Sequence, residues 1–348
     1  MTPLSVLDLS PVTTATPGSV ALRNSLDLAQ LADRLGYTRY WLAEHHNLAS
    51  IASSAPEIMI GQVAAVTTRI RVGSGGVMLV NHPPLMVAER FKVLEALFPG
   101  RIDLGLGRAP GTDPVTSYAL RHRQDAREAD DFLERFQELI LLERGGFSPE
   151  HPFRKLRAMP ADVVLPPIWL LGSSGYSAEL AAAVGMGFAF AHHFAEHAGS
   201  AMLTYREHFK PSETLPEPYS ILAVAAIAAE TDAEAERIAA SAYLHYVRRS
   251  KGEFDPFVSP EEAAAYPYTP IDRDRIERHR ERLIVGSGDT VKRRLLSLVE
   301  ATRADELMIT TMTYNHTARR HSYEILAGAF GIAPIADRAL RAGVEAPL

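Results

Sequence analysis

Short apolar runs alternate with helical patterns along almost the whole chain, and no other feature constrains the fold as much. Leu4–Leu9 reads as a strand. Ser19–Leu35 reads as a helix, with Leu22, Leu26, Leu31 and Leu35 on one face and Gly36 as its stop. Further strands are predicted at Thr38–Ala43, Ile70–Gly73, Arg101–Leu106, Pro167–Leu171, Gly187–His192, Ser220–Ala229 and Glu306–Thr311. Helices are predicted at Pro56–Thr68, Pro84–Leu97, Asp125–Glu143, Ala178–Val184, His197–Phe209, Asp232–Arg248 and Ala318–Ala329, with an additional one at Asp289–Thr302. Eight strand–helix units in this order predict an α/β fold: a closed (β/α)8 TIM-type barrel. An open doubly wound sheet is the alternative. Gly73-Ser74-Gly75-Gly76 runs on into apolar Val77, Met78 and Leu79 rather than into a capped helix, so no dinucleotide fingerprint favours it.

The length of 348 residues suits one such barrel, and residues 1–348 are expected to form a single domain. One stretch breaks the alternation before the last strand. Ser250 to Gly288 carries Pro256, Pro260 and Pro267 and then the charged run Asp272–Arg282. Its composition suits a mobile lid over the barrel mouth and a surface excursion equally well.

Charge and composition exclude several functions. With 36 Lys plus Arg against 42 Asp plus Glu, the net charge is −6, and no basic block is present. That weighs against binding nucleic acid or an anionic membrane. The absence of cysteine excludes disulfides, thiolate metal sites and a cysteine nucleophile, and is compatible with a reducing cytoplasm. Met1 to Val12 does not read as a signal peptide. The longest apolar run, Leu180 to Ala191, is broken by Gly185 and Gly187 and is shorter than the roughly 18 residues a membrane span needs. A soluble cytoplasmic protein is expected.

In a barrel of this kind the active site lies where the strands end, so the residues after each strand carry the functional argument. After the second strand comes Trp41-Leu42-Ala43-Glu44-His45-His46-Asn47. Adjacent histidines and a carboxylate at a strand end can supply a general base or a proton shuttle, or can be a hydrogen-bonded loop pair and nothing more. Gly73-Ser74-Gly75-Gly76 would let a flat ligand approach the backbone, or form a tight turn. Arg108 follows Gly105 and Gly107 at the end of the fourth strand, where it can hold a phosphate or pair with a structural carboxylate. The loop Gly172-Ser173-Ser174-Gly175-Tyr176-Ser177 leads directly into a helix. Its N–H groups and hydroxyls suit an anion, or Ser174 or Ser177 caps the helix. Taken with Arg108, a phosphate clamp is the better reading. His192, His193 and His316 also follow strands and rank below His45. These histidines are scattered over separate loops without metal-ligand spacing, so no metal site is predicted.

Three segments together resemble the luciferase-like flavin monooxygenases: Tyr40 to His46, Arg71 to Leu79, and Gly100 to Gly111. The order of elements agrees over most of the chain, and the fit is closer to single-chain bacterial members than to light-emitting subunits. The resemblance implies a TIM-type barrel that takes reduced FMN from a separate flavin reductase and uses oxygen to oxygenate a small organic substrate. It implies acid/base assistance from His45, a flavin-facing segment at Gly75 and Gly76, often joined by a non-prolyl cis peptide, and phosphate contacts from Arg108, Ser173, Ser174 and Ser177. It also implies a homodimer through the helices after the second and third strands. The apolar Ile58, Met59, Ile60, Val63, Ala64, Ala65 and Val66 suit that interface. Gly107 stands where the light-emitting enzymes carry a reactive cysteine, which argues against light emission. Ser173 replaces an acidic residue of the luciferases. Two other readings remain open on this fold: hydride transfer with a deazaflavin, and non-catalytic flavin binding.

Overall fold

Why a barrel forms is visible in the two faces of its strands. Along the first strand Leu4 and Val6 pack outward against helices, while Leu7 and Leu9 point into the barrel. In the second, Tyr40 and Leu42 face the helices and Trp41 and Ala43 face inward. Side chains alternate with period two, so a strand buried on both faces is apolar along most of its length. The computed structural model describes residues 2–121, 131–195 and 198–332.

The strands are β1 (Leu4–Asp8), β2 (Arg39–Leu42), β3 (Arg71–Ser74), β4 (Val77–Met78), β5 (Ile102–Gly107), β6 (Ile168–Gly172), β7 (Gly187–Ala191), β8 (Ser220–Ala229), β9 (Leu283–Ser287) and β10 (Glu306–Thr310). Eight of them close a parallel barrel in the order β1-β2-β3-β5-β6-β7-β8-β10, with β10 pairing back onto β1. The helices around it are α1 (Gly18–Leu35), α2 (Pro56–Val66), α3 (Pro84–Leu97), α4 (Pro114–Arg121), α5 (Phe132–Arg144), α6 (Gly175–Val184), α7 (Ala198–His208), α8 (Asp232–Ser250), α9 (Pro260–Ala264), α10 (Pro270–His279), α11 (Gly288–Thr302) and α12 (His316–Phe330). The expected helix starts at Asp125 and His197 lie outside the described residues. Among the described residues no helix is long and apolar enough to cross a membrane.

The stretch before the last strand contains more regular structure than its sequence suggests. After α9 and α10, which lie against α8, β9 pairs in parallel with the outer half of β8, from Ala225↔Leu283 to Ala229↔Ser287. The inner half of β8 belongs to the barrel, between β7 and β10. The ten residues of β8 thus pair with β7 and β10 along the inner half and with β9 along the outer half. Helix α1 corrects another expectation. Its buried face runs through Ala21, Ser25, Leu28, Ala29, Leu31 and Ala32, so Leu31 is buried as expected, while Leu22, Leu26 and Leu35 lie half-buried at its margin. Small side chains let the helix approach the barrel closely, and the contact centres on Leu28 and the alanines around it rather than on Leu22 and Leu26.

Candidate active site at the mouth of the barrel

Gly75 and Gly76 interrupt the third strand. Gly73 pairs with Asp103 and Val77 with Leu106, so four steps along one strand face three along its neighbour. One extra residue is therefore inserted, a β-bulge. The Gly75–Gly76 peptide within it is cis. The bulge fits tightly against β5: the Ser74 hydroxyl donates to the Gly105 carbonyl at 2.8 Å and accepts from the Gly105 N–H at 3.0 Å. A Cβ on Gly105 would lie 2.1 Å from the Ser74 carbonyl oxygen, so glycine is required there.

Glu44 holds the far side of the bulge. Its buried carboxylate accepts the Met78 N–H at 2.8 Å, the His46 ring N–H at 2.8 Å and the His82 ring N–H at 2.9 Å. Burial alone would raise its pKa, but the hydrogen bonds from His46 and His82 outweigh burial and bring it to about 2. The two histidines of the Glu-His-His segment therefore divide their work. His46 turns back to Glu44, while His45 lines the central cavity.

His45 is held at a pKa of about 4, chiefly by burial, with Arg249 and His193 adding to the effect. Its Nδ1 is buried and has no hydrogen-bond partner. His193 lines the same cavity, donates its Nδ1–H to the Ala223 carbonyl at 3.1 Å and is likewise pushed down to about 4 by burial. Both rings are neutral at pH 7. His192 is buried beside it with both ring nitrogens unpaired and does not line the cavity. His316 does not line the cavity and bonds Asp27 at 2.8 Å.

At the ends of β5 and β6 the sequence candidates for anion binding come together. Arg108, Ser173, Ser174 and Ser177 line the cavity that also holds His45, Gly75 and Gly76. The Arg108 guanidinium lies 4.4 Å from the centre of the Tyr176 ring. Ser174 precedes α6 without making a side-chain capping bond, so the first N–H groups of that helix gain no acceptor from it. Ser177 lies close over Gly172, where a Cβ would come within 2.6 Å of the Ser177 side chain. A guanidinium, three hydroxyls and an uncapped helix N-terminus form a donor set that fits a phosphate.

The cavity has a volume of about 1270 Å³. Its floor is apolar, built from inward-facing Leu7, Trp41, Leu171 and Met308. Residues 2–306 match the pattern of the luciferase-like monooxygenases. The chain belongs to the luciferase-like monooxygenase family. A luciferase-like monooxygenase of Escherichia coli strain K12 is 42% identical over 322 residues, covering 92% of this chain and 95% of that one. An N-acetyl-S-alkylcysteine monooxygenase of Bacillus subtilis is 36% identical over 331 residues, covering 94% and 97%. Among solved structures, apo-MsnO8 is 40% identical with a TM-score of 0.86, covering 96% of this chain and 98% of that one.

Within this family fold, sequence reasoning missed two residues that shape the site. Glu44 appeared only as part of a motif, and its role depends on Met78 and His82, more than 30 positions away. Arg249 lines the cavity from the last turn of α8, where an arginine is commonplace as a complement to the helix dipole and carries no signal of its own. Among the described residues no group of three or more His, Cys, Asp or Glu side chains could hold a metal ion.

Proposed function

We propose that this protein is an FMN-dependent monooxygenase that takes reduced FMN from a separate flavin reductase and oxygenates a small organic substrate. The supporting observation is convergence: His45, Gly75, Gly76, Arg108, Ser173, Ser174 and Ser177, chosen from separate loops, border one cavity with an apolar floor. Arg108 and the three serines would hold the FMN phosphate, and the Gly75–Gly76 bulge would lie against its ring system. Bound reduced FMN supplies the electrons with which oxygen is activated, one oxygen atom going to the substrate and the other to water. The chain's own contribution is binding, shielding and proton management. Leu7, Trp41 and Met308 keep water from the cavity floor. His45, neutral at pH 7, takes up and returns a proton on its imidazole.

The experiment is a titration with oxidised FMN, reduced FMN and a deazaflavin, followed by oxygen uptake with a flavin reductase over a substrate panel. Thioethers join the panel because one relative is an N-acetyl-S-alkylcysteine monooxygenase. Saturable FMN binding with substrate-dependent uptake is expected. Selective deazaflavin binding would point to hydride transfer, and flavin binding without turnover to a non-catalytic binder.

We also read residues 1–348 as one cytoplasmic barrel domain that forms a homodimer. Ile58 and Val66 on α2 and Met86, Val93 and Leu97 on α3 are exposed, leaving an apolar outer face on adjacent helices. Sedimentation should give twice the chain mass at micromolar concentration, and Ile58→Glu should shift it toward the monomer.

A further inference from the structure

The cavity of about 1270 Å³ exceeds the roughly 300–1,000 Å³ usual for a single small-molecule site, so a flavin leaves room for a second ligand. The cavity is also lined by His193 and Phe194 after β7, Arg249 and Phe254 at and beyond the end of α8, and His45 after β2.

Arg249 stands apart from its neighbours on the chain. Arg248 has Glu262 at 3.9 Å and Lys251 has Asp272 at 3.0 Å. Among the described residues no carboxylate comes within salt-bridge distance of Arg249, and its side chain makes no hydrogen bond. Its guanidinium lies 5.8 Å from the centre of the Phe194 ring. The residue is exposed and lines the cavity, and the part of it that is desolvated pulls its pKa below the ordinary arginine value. His45 and His193 are uncharged at pH 7 and cannot balance it. Asp113 is the one acid among the described cavity-lining residues, and it is engaged by Thr116, Asn47 and the Val115 N–H in the loop after β5. A cavity-lining guanidinium with no carboxylate beside it among the described residues keeps its fork of donors available to a bound anion.

We propose that Arg249 determines substrate specificity by anchoring a carboxylate on the organic substrate, with His193, Phe194 and His45 forming the wall around it. This inference rests on the flavin-monooxygenase reading for the word substrate, but the anion site itself does not need a flavin. The planar fork of arginine matches the two oxygens of a carboxylate, and such pairs also fix orientation. An acid held there would keep its apolar body over the cavity floor.

The test uses matched probes: hexanoate, octanoate and 4-phenylbutanoate, each against its uncharged amide. Binding is read by perturbation of bound-FMN absorbance, and separately by the shift in Tm of flavin-free protein. In wild type the acids should bind about tenfold more tightly than their amides, the factor expected for one charge-assisted hydrogen-bonded pair. Arg249→Met should abolish that preference while FMN affinity stays within about twofold, and Arg249→Lys should keep part of it. Equal binding of acids and amides, no binding of either, or a preference that survives Arg249→Met would overturn the proposal. So would a loss of FMN affinity in place of acid affinity, which would make Arg249 a flavin ligand. If FMN does not bind at all, acid-selective stabilisation that disappears in Arg249→Met would still establish the anion site, and the flavin reading alone would fail.

Discussion

The two ends of the barrel treat charge in opposite ways. At the N-terminal end, Arg39 bridges Asp103 at 2.9 Å and Glu306 at 3.0 Å, Arg71 adds a second contact to Asp103 at 2.7 Å, and Tyr219 donates to Glu306 at 2.9 Å. Both carboxylates are fully buried, and the bridging cations come from strands β2 and β3. At the C-terminal mouth, His45 keeps a buried ring nitrogen without a partner, and among the described residues Arg249 has no carboxylate beside it. Polar groups satisfied by one another hold strands together. Polar groups left unsatisfied around a cavity wait for a ligand.

That contrast can be broken by substitutions at either end. The largest effect is expected from His45→Ala, which should lower turnover by about 10²- to 10⁴-fold, the usual range for a positioned acid/base group, with FMN affinity nearly unchanged. Steady-state oxygen uptake beside an FMN titration checks it, and unchanged turnover would remove His45 from the chemistry. Asp103→Ala at the closed end should behave in the opposite sense. It leaves Arg39 and Arg71 without their shared acceptor and should cost about 3–5 kcal/mol of stability, seen by denaturant unfolding, while protein that remains folded binds FMN as before.

Arg108→Ala should weaken FMN binding by roughly 10- to 100-fold, as expected when a charge-assisted hydrogen bond worth about 1.5–3 kcal/mol is lost. Riboflavin, which lacks the phosphate, should bind wild type and variant alike; an equal loss for both would place the phosphate elsewhere.

The smallest effect concerns pH. His45, His193, His245 and His279 are each pushed down to about 4, burial being the largest cause in every case. The unfolded chain, with ordinary histidines, binds more protons than the fold between about pH 6.5 and 4. Stability contributed by these neutral rings is therefore complete above about pH 6.5 and is lost as pH falls toward 4. Thermal unfolding should show Tm declining over that window, and His193→Asn should make the slope shallower. An unchanged slope would mean that His193 titrates normally.

Much of this protein was legible in its sequence because the relevant information is local. The predicted strand at Ser220–Ala229 and helix at Pro84–Leu97 coincide with β8 and α3. Long apolar runs and a proline at the helix start act within a few residues. The loops after β2, β3, β5 and β6 were legible as mouth residues because a parallel barrel sends every strand in the same direction. The two-residue β4 and the five-residue β9 escaped, since so few residues carry no period, and β9 exists only because the outer half of β8 is left without its barrel neighbours.

By itself, then, the sequence determined the alternation of strands and helices, the closed barrel that follows from it, and which loops reach the open end. Tertiary structure decided which side chains in those loops meet. It turned His46 onto Glu44 and His45 into the cavity, sent His316 to Asp27, and carried Arg249 from the end of α8 to the same cavity as His193. The physical reason is range. Backbone propensity and apolar period act over a few positions, whereas the partner of a charge is chosen by distance in space, between residues that may be hundreds of positions apart.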